Sequence, residues 1–370
     1  MLCVPALDAI ETPALLLDAD RLEANLTRMA DLCRQHGRAL RPHSKSHKTV
    51  EIAARQRELG AVGITVAKLG EAEVHVEAGC EDVFVCYPLV GVGKLRRLLA
   101  LAERARVSTI VDDLDAAAAL GRAAVAAGTE IDVLVKLDLG MHRVGVPEAE
   151  AEAFAEATAR VDGLRLRGVC VHEGETYGEP DPARRRSLAR ERVGRLVEVA
   201  ERLRRRGLEI DLVSSGATPS VFETIDLDGV TEVRPGNYVF FDAIAVALAV
   251  APEEACALTV LTTVASHSAP ERGIVDAGAK ALSLDRGVHG LGILDGFGTV
   301  RGRPGLRLAS LSEEHGWLEL GDGAEVAIGE RLDVIPNHAC PVVANFESLT
   351  LVRNGEPLET WRITTRGRMT

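Results

Sequence analysis

The pattern that most limits what this chain can fold into is an alternation running from Ala39 to Val233. Eight short β-rich runs occur at a steady pace: Ala39–Pro42, Val62–Ala67, Asp82–Cys86, Val107–Val111, Ile131–Leu137, Leu166–His172, Ile210–Val213 and Val230–Val233. Between them lie stretches rich in Ala, Leu and Arg: Val50–Leu59, Gly70–Ala78, Val92–Arg104, Leu114–Ala127, Ala149–Arg160 and Arg185–Arg206. Their apolar residues recur at helical spacing. Eight strands each followed by a helix, the last helix left open, predict an α/β fold with a closed (β/α)8 TIM-type barrel. An open doubly wound sheet needs a fingerprint glycine loop after its first strand, and the sequence has none.

The flanks differ. Thr12–Asp18 is a strand opened by Pro13, and Asp20 caps a helix carrying Leu22, Leu26, Met29 and Leu32. Beyond Ala245 short runs alternate with turn residues: Ala257–Ser266, Arg272–Asp276, Leu306–Leu311, Gly316–Leu320, Glu330–Ile335 and Ser348–Arg353. At 370 residues the chain exceeds the roughly 250–300 at which one core stops growing. Two domains are therefore expected, a barrel over 12–245 and a β-rich domain over 1–11 and 246–370.

A net charge of −12 leaves no basic excess to neutralise phosphates, so a sequence-independent nucleic-acid binder is not expected. The basic run Arg184–Arg186 with Arg190, Arg192 and Arg195 is interspersed with glutamates and reads as a solvated helix face. The longest uncharged apolar run, Ala243–Ala251, is far short of the ~18–20 residues of a membrane span. Cys3, Cys33, Cys80, Cys86, Cys170, Cys256 and Cys340 are scattered and odd in number, which is no disulfide framework. With no signal pattern at the N-terminus, a cytoplasmic protein is expected.

In such barrels the chemistry sits in the loops after the strands. After the first run comes Arg41-Pro-His-Ser-Lys-Ser-His-Lys48. Alone these residues also suit a basic loop facing water, yet an amine held among partners at a strand end can act as a nucleophile and form a Schiff base. Lys45 is the candidate. After the fifth run, Arg143 lies between Gly140 and Gly145, which also suits an ordinary turn. After the sixth, His172 and Tyr177 crowd a polar loop, though a lone histidine there also suits a satisfied core. The seventh run ends in Ser214-Ser-Gly-Ala-Thr-Pro-Ser220 and the eighth in Arg234-Pro-Gly-Asn-Tyr238. Phosphate sites in barrels are commonly built by these two loops, where small residues let backbone N–H groups converge on an anion. An amine on strand one facing an anion site on strands seven and eight suits pyridoxal 5'-phosphate better than a sugar phosphate, because that cofactor needs both. In the second domain, His338 and Cys340 are two residues apart; on an extended segment they share a face and one cation, zinc by donor type, with manganese or cobalt as alternatives. The same spacing also suits a buried cysteine beside an exposed histidine in a turn.

Together Arg41–Lys48, Thr12-Pro-Ala-Leu-Leu-Leu-Asp18, Asp276-Ala-Gly-Ala-Lys280 and Pro336-Asn-His-Ala-Cys-Pro341 resemble the D-serine dehydratase / D-threonine aldolase family of alanine-racemase-like, fold-type III pyridoxal phosphate enzymes. The resemblance spans nearly the whole chain. It implies that Lys45 is the Schiff-base lysine and that Arg143 approaches the cofactor's phenolic oxygen. It implies cofactor contacts at His172, Tyr177, Ser215, Gly216, Ala217, Thr218, Gly236, Asn237 and Tyr238, with Arg234 facing the pyridine nitrogen, and a divalent-metal pair at His338 and Cys340. Aldolases of the family typically show aspartate where this chain has Cys340, whereas its dehydratases show cysteine. The expectation is therefore a lyase on D-3-hydroxy amino acids, a dehydratase yielding a 2-oxo acid and ammonia, with retro-aldol cleavage as the alternative. A racemase or a non-catalytic cofactor-binding protein is more distant. The resemblance also implies a homodimer.

Overall fold

The computed structural model describes residues 7–289 and 291–370; Cys3 and the rest of 1–6, assigned above to the β-rich domain, lie outside them. The chain divides into two compact units. One comprises residues 29–45, 50–236 and 367–370, the other the residues through Arg28 with 46–49 and 237–366.

The first unit is the barrel. Its strands are Ala39–Leu40, Ile64–Val66, Asp82–Val85, Arg106–Val111, Ile131–Asp138, Leu164–Cys170, Leu212–Ser215 and Glu232–Val233. Each neighbouring pair in the ladder from the second strand to the eighth is parallel, and the eighth pairs with the first. A parallel bridge between His43 and Thr65 joins the first strand to the second, so the ring closes. Regular pairing in the first strand stops at Leu40 because Pro42 has no N–H to give the ladder. The helices Val50–Glu58, Leu69–Glu77, Val92–Ala102, Leu114–Ala126, Ala151–Thr158 and Pro182–Arg205 follow the strands as expected.

Alternation sorts the strand residues between two cores. Val83, Val85, Val133, Val135, Val169 and Val213 pack outward with Leu69, Leu98, Leu120, Leu196 and Leu203 of the helices. Phe84, Ile110, Leu134 and Cys170 form a separate cluster in the barrel interior. Arg41 locks the closure. Its Nε donates to Glu232 of the eighth strand at 2.7 Å and its Nη1 to Asp82 of the third at 2.5 Å. A Cβ on Gly63 would meet the Arg41 guanidinium and lie 2.5 Å from the Asp82 carbonyl, so that position takes no side chain.

The second unit is built on a nine-stranded sheet in which Arg272–Val275 also pairs with Leu258–Ala269, closing part of it into a barrel. The strand Ala14–Asp18 lies in this sheet, antiparallel to Leu258–Ala269 and parallel to Ser348–Arg353. The boundaries thus fall near residues 28 and 237 rather than at 12 and 245, because Leu15, Leu16 and Leu17 are buried by partners from the far end of the chain. Three strands among the described residues were not foreseen, of which Val146–Pro147 pairs with Ile131–Asp138 in the barrel unit. Thr299–Val300 is two residues long, and Glu356–Arg362 is a polar edge strand without an apolar face. Six cysteines are described and all are free, and no helix among the described residues is long and apolar enough to cross a membrane.

Candidate active site

In the barrel unit, Lys45 sits in a single 3-10 turn, Ser44–Ser46, with its side chain half-buried. The turn is anchored from below: the His43 N–H donates to the Pro235 carbonyl at 3.0 Å and the Ser44 hydroxyl to the Thr65 carbonyl at 3.3 Å. His172 donates from Nδ1 to the Gly216 carbonyl, which fixes the tautomer with the lone pair on Nε2. Burial, then the charges of Lys45 and Lys136 and more weakly Arg143, hold its pKa well below the ordinary value, so the imidazole is neutral. The loops after strands one, five, six and seven therefore converge around this ring.

Two carboxylates shape the Arg143 loop. Asp138 accepts from the Gly140 and His142 N–H groups at 3.0 and 2.9 Å, and Asp112 accepts from the Gly145 N–H at 3.0 Å. Gly145 has a φ of 128°, and a Cβ there would lie 2.6 Å from the Asp138 nitrogen. Arg143 itself is exposed at the loop's tip, and Tyr177 is half-buried in the 3-10 segment Gly174–Gly178. Arg234 is 4% exposed. Its guanidinium donates to the Ser214 hydroxyl and the Val171 carbonyl and lies 5.6 Å from the Phe84 ring centroid. Its backbone N–H donates to the Ser215 carbonyl at 2.9 Å. Gly216 runs so close that a Cβ would lie 3.0 Å from that of Arg234. Ser215, Ala217 and Thr218 are buried, and the Thr218 hydroxyl has no partner among the described residues.

Two residues of this cluster escaped the sequence reading. Lys136 is 4% exposed, with no hydrogen-bond partner among the described residues, and burial pushes its pKa down. Two residues on from Leu134, it faces the barrel interior. A lysine inside the apolar run Ile131–Leu137 was the available signal. Glu173 is fully buried and accepts from the Gly216 N–H at 3.3 Å and the Ser220 hydroxyl at 3.0 Å.

Asn237, Tyr238, His338 and Cys340 belong to the other unit. Asn237 is turned to Asp242, donating from Nδ2 at 2.7 Å, and Tyr238 is buried. The expected extended His338–Cys340 segment is not found. His338 is the extended N-cap of the helix Ala339–Asn345, and Cys340 lies in its first turn. The strand ends at Ile335, and Pro341 is tolerated in the first turn of a helix, where no intrahelical partner is needed for its nitrogen. The two side chains still meet. Burial works against a charge on His338, but Cys340 beside it and the Asp285 carboxylate push its pKa up to about 10. Its Nδ1 bonds Asp285 at 2.7 Å, and the Cys340 thiol donates to the Ser46 hydroxyl at 3.2 Å. Buried Asp242 accepts from the Ala339 N–H at 3.0 Å, while Asn337 donates to the Asp285 and Gly296 carbonyls, both at 2.9 Å. These bonds hold the pair in place.

Both groups expected here are compatible with the residues present. An amine, a glycine turn no side chain can enter and a buried, unpartnered Thr218 hydroxyl suit a phosphorylated aldehyde. Asp285 on Nδ1 leaves Nε2 of His338 to face a metal, the usual arrangement for a ligating histidine. No group of three or more His, Cys, Asp or Glu side chains suited to a metal is found among the described residues.

Residues 17–243 match the alanine racemase N-terminal domain and residues 257–352 the putative serine dehydratase domain. The chain belongs to the alanine-racemase-like, fold-type III family of pyridoxal phosphate enzymes. It is 38% identical over 369 residues to the D-threo-3-hydroxyaspartate dehydratase of a Delftia species, covering 95% of this chain and 97% of that one. A D-threonine aldolase from Filomicrobium marinum superposes with a TM-score of 0.93 at 35% identity, covering 100% of both chains. A variant of the Delftia dehydratase with a cysteine replaced by alanine, solved in a metal-free form, gives a TM-score of 0.89 at 36% identity over 97% of this chain and 98% of that one.

Proposed function

We propose that this chain is a pyridoxal phosphate- and divalent-metal-dependent lyase that dehydrates a D-3-hydroxy amino acid, releasing a 2-oxo acid and ammonia. The observation that carries the reading is Cys340 as the second member of the metal pair, meeting His338 and bonded to Ser46, the residue after Lys45. The cofactor, when bound through Lys45, supplies an electron sink for the substrate's α-carbon. Lys45 holds the cofactor at rest and, as a free amine, takes the α-proton. Neutral His172 adds no positive charge beside that amine. The turn Gly216–Thr218 receives the phosphate, and Arg234, fixed by Ser214 and Val171, faces the ring. His338 through Nε2 and Cys340 through its thiolate are the residues that would hold zinc, manganese or cobalt, whose chemistry there is Lewis acidity toward the β-hydroxyl.

The likeness to a D-threonine aldolase at a TM-score of 0.93 favours a second reading, retro-aldol cleavage to glycine and an aldehyde. Incubation with cofactor and manganese or zinc, separately with D-serine, D-threonine and D-threo-3-hydroxyaspartate, separates the two. Ammonia with a 2-oxo acid supports dehydration; glycine with an aldehyde overturns it in favour of the aldolase. Metal-free turnover of D-alanine would mean a racemase, and inertness with every substrate a cofactor-binding protein. We further propose a homodimer, to be read as a doubled mass in light scattering.

A further inference from the structure

Gly216 is held from both sides by consecutive residues. Its carbonyl accepts the Nδ1 proton of His172, and its N–H donates to Oε2 of Glu173 at 3.3 Å. The same Oε2 accepts the Ser220 hydroxyl at 3.0 Å, so one carboxyl oxygen spans the turn from Gly216 to Ser220. The other oxygen, Oε1, is buried with no partner among the described residues, and the side chain is 0% exposed. Burying a carboxyl with half its acceptors unmet is costly, and a domain core has no use for it. Thr218, whose hydroxyl is also buried and unpartnered, lies between the two residues that Glu173 ties.

We propose that Glu173 is a positioning residue for the cofactor's phosphate: it fixes the Gly216–Ser220 turn from behind so that the Thr218 hydroxyl is presented to the anion, without touching the cofactor itself. The inference rests on reading this turn as the phosphate site. Because Glu173 occupies the Gly216 N–H, the anion is met by other donors, and the Thr218 hydroxyl is one that has no partner among the described residues. Burial raises the pKa of Glu173, with Arg234 and Lys136 nearby opposing.

The test titrates the full-length, cofactor-stripped protein with pyridoxal phosphate and separately with pyridoxal, which lacks the phosphate, following absorbance. Glu173→Leu removes the acceptor and leaves the buried Gly216 N–H unmet, while the Ser220 hydroxyl keeps only the Ala217 carbonyl at 3.1 Å. Its Kd for pyridoxal phosphate should rise about tenfold or more, while that for pyridoxal stays within about twofold. Glu173→Gln keeps an oxygen of the same reach and should restore binding to within about threefold of wild type. Ser220→Ala, a milder change, should raise the Kd for pyridoxal phosphate alone by a few-fold. Equal weakening of both ligands, or unchanged binding by Glu173→Leu, overturns the proposal. Wild-type protein that binds neither ligand overturns the cofactor reading beneath it.

Discussion

Replacing Arg41 by methionine keeps most of the side chain's length and removes its charge. Arg41 is 7% exposed, and Glu232, which accepts its Nε–H, is 1% exposed. Burial disfavours the guanidinium's charge, yet Glu232 and Asp82 raise its pKa further. Breaking a buried pair from one side costs about 3–5 kcal/mol, because the remaining charge is stranded. Asp82 softens this: its side chain is 19% exposed and Arg106 stands 4.0 Å away, so it can rehydrate or change partner. Among the described residues, Glu232 then keeps the Ser214 hydroxyl, which donates to it at 2.6 Å. The expected loss is therefore near the lower end, about 3 kcal/mol of apparent stability. Urea unfolding followed by circular dichroism measures it. Combining Arg41→Met with Glu232→Gln should recover at least about 1 kcal/mol of the summed single losses, since no stranded carboxylate remains. Because Arg41 opens the segment that ends in Lys48, the single variant should also retain less cofactor through gel filtration. A loss below about 1 kcal/mol, or a double-mutant cycle additive within about 0.5 kcal/mol, would refute the claim that this triad fastens the barrel's closing strands.

Lys45→Ala should abolish the visible absorbance of bound cofactor and lower turnover by at least about a thousandfold, as loss of a covalent nucleophile does. His338→Ala and Cys340→Ala should each reduce bound zinc or manganese, measured by atomic emission, at least tenfold in affinity while leaving Tm within a few degrees; about tenfold or more is usual for losing part of a metal's ligand shell. Gly145→Ala places a Cβ at a φ of 128° against the Asp138 backbone and should displace Arg143, cutting kcat/KM by about tenfold or more. Burial raises the pKa of Asp132, but hydrogen bonds from Arg165 and Arg106 more than offset it, so its folded pKa is lowered. A lowered folded pKa means stability present above the unfolded carboxylate value and lost as pH falls through the folded one. Asp132→Asn should thus lose about 1–2 kcal/mol at pH 7, with the gap to wild type narrowing below about pH 4, as read from thermal melts at both.

The barrel was legible because its strands are buried on both sides and its helices on one, which leaves two distinct periods in the sequence. Ala14–Asp18 was not assigned to its sheet, since three consecutive leucines suit any buried strand and its partners stand at the opposite end of the chain. His338 and Cys340 were read as a pair from donor type, while their backbone was taken as extended where a helix begins. Lys136 was hidden because it sits at an interior position of the barrel wall, where a charged side chain contradicts the apolar pattern that locates the strand. Glu173 was hidden for another reason: it caps the 3-10 segment in the polar loop after the sixth strand, where a glutamate in sequence reads as solvated.

The strand Ala14–Asp18 also sets a timetable. Its partners, Leu258–Ala269 and Ser348–Arg353, are made only after the whole barrel has been translated, so at roughly 5–20 residues per second its leucines wait ten seconds or longer for cover. During that interval a nascent chain carries an unpaired β segment with three consecutive leucines. Ribosome-associated chaperones, or the speed of elongation itself, therefore bear on how much of this protein reaches its native state.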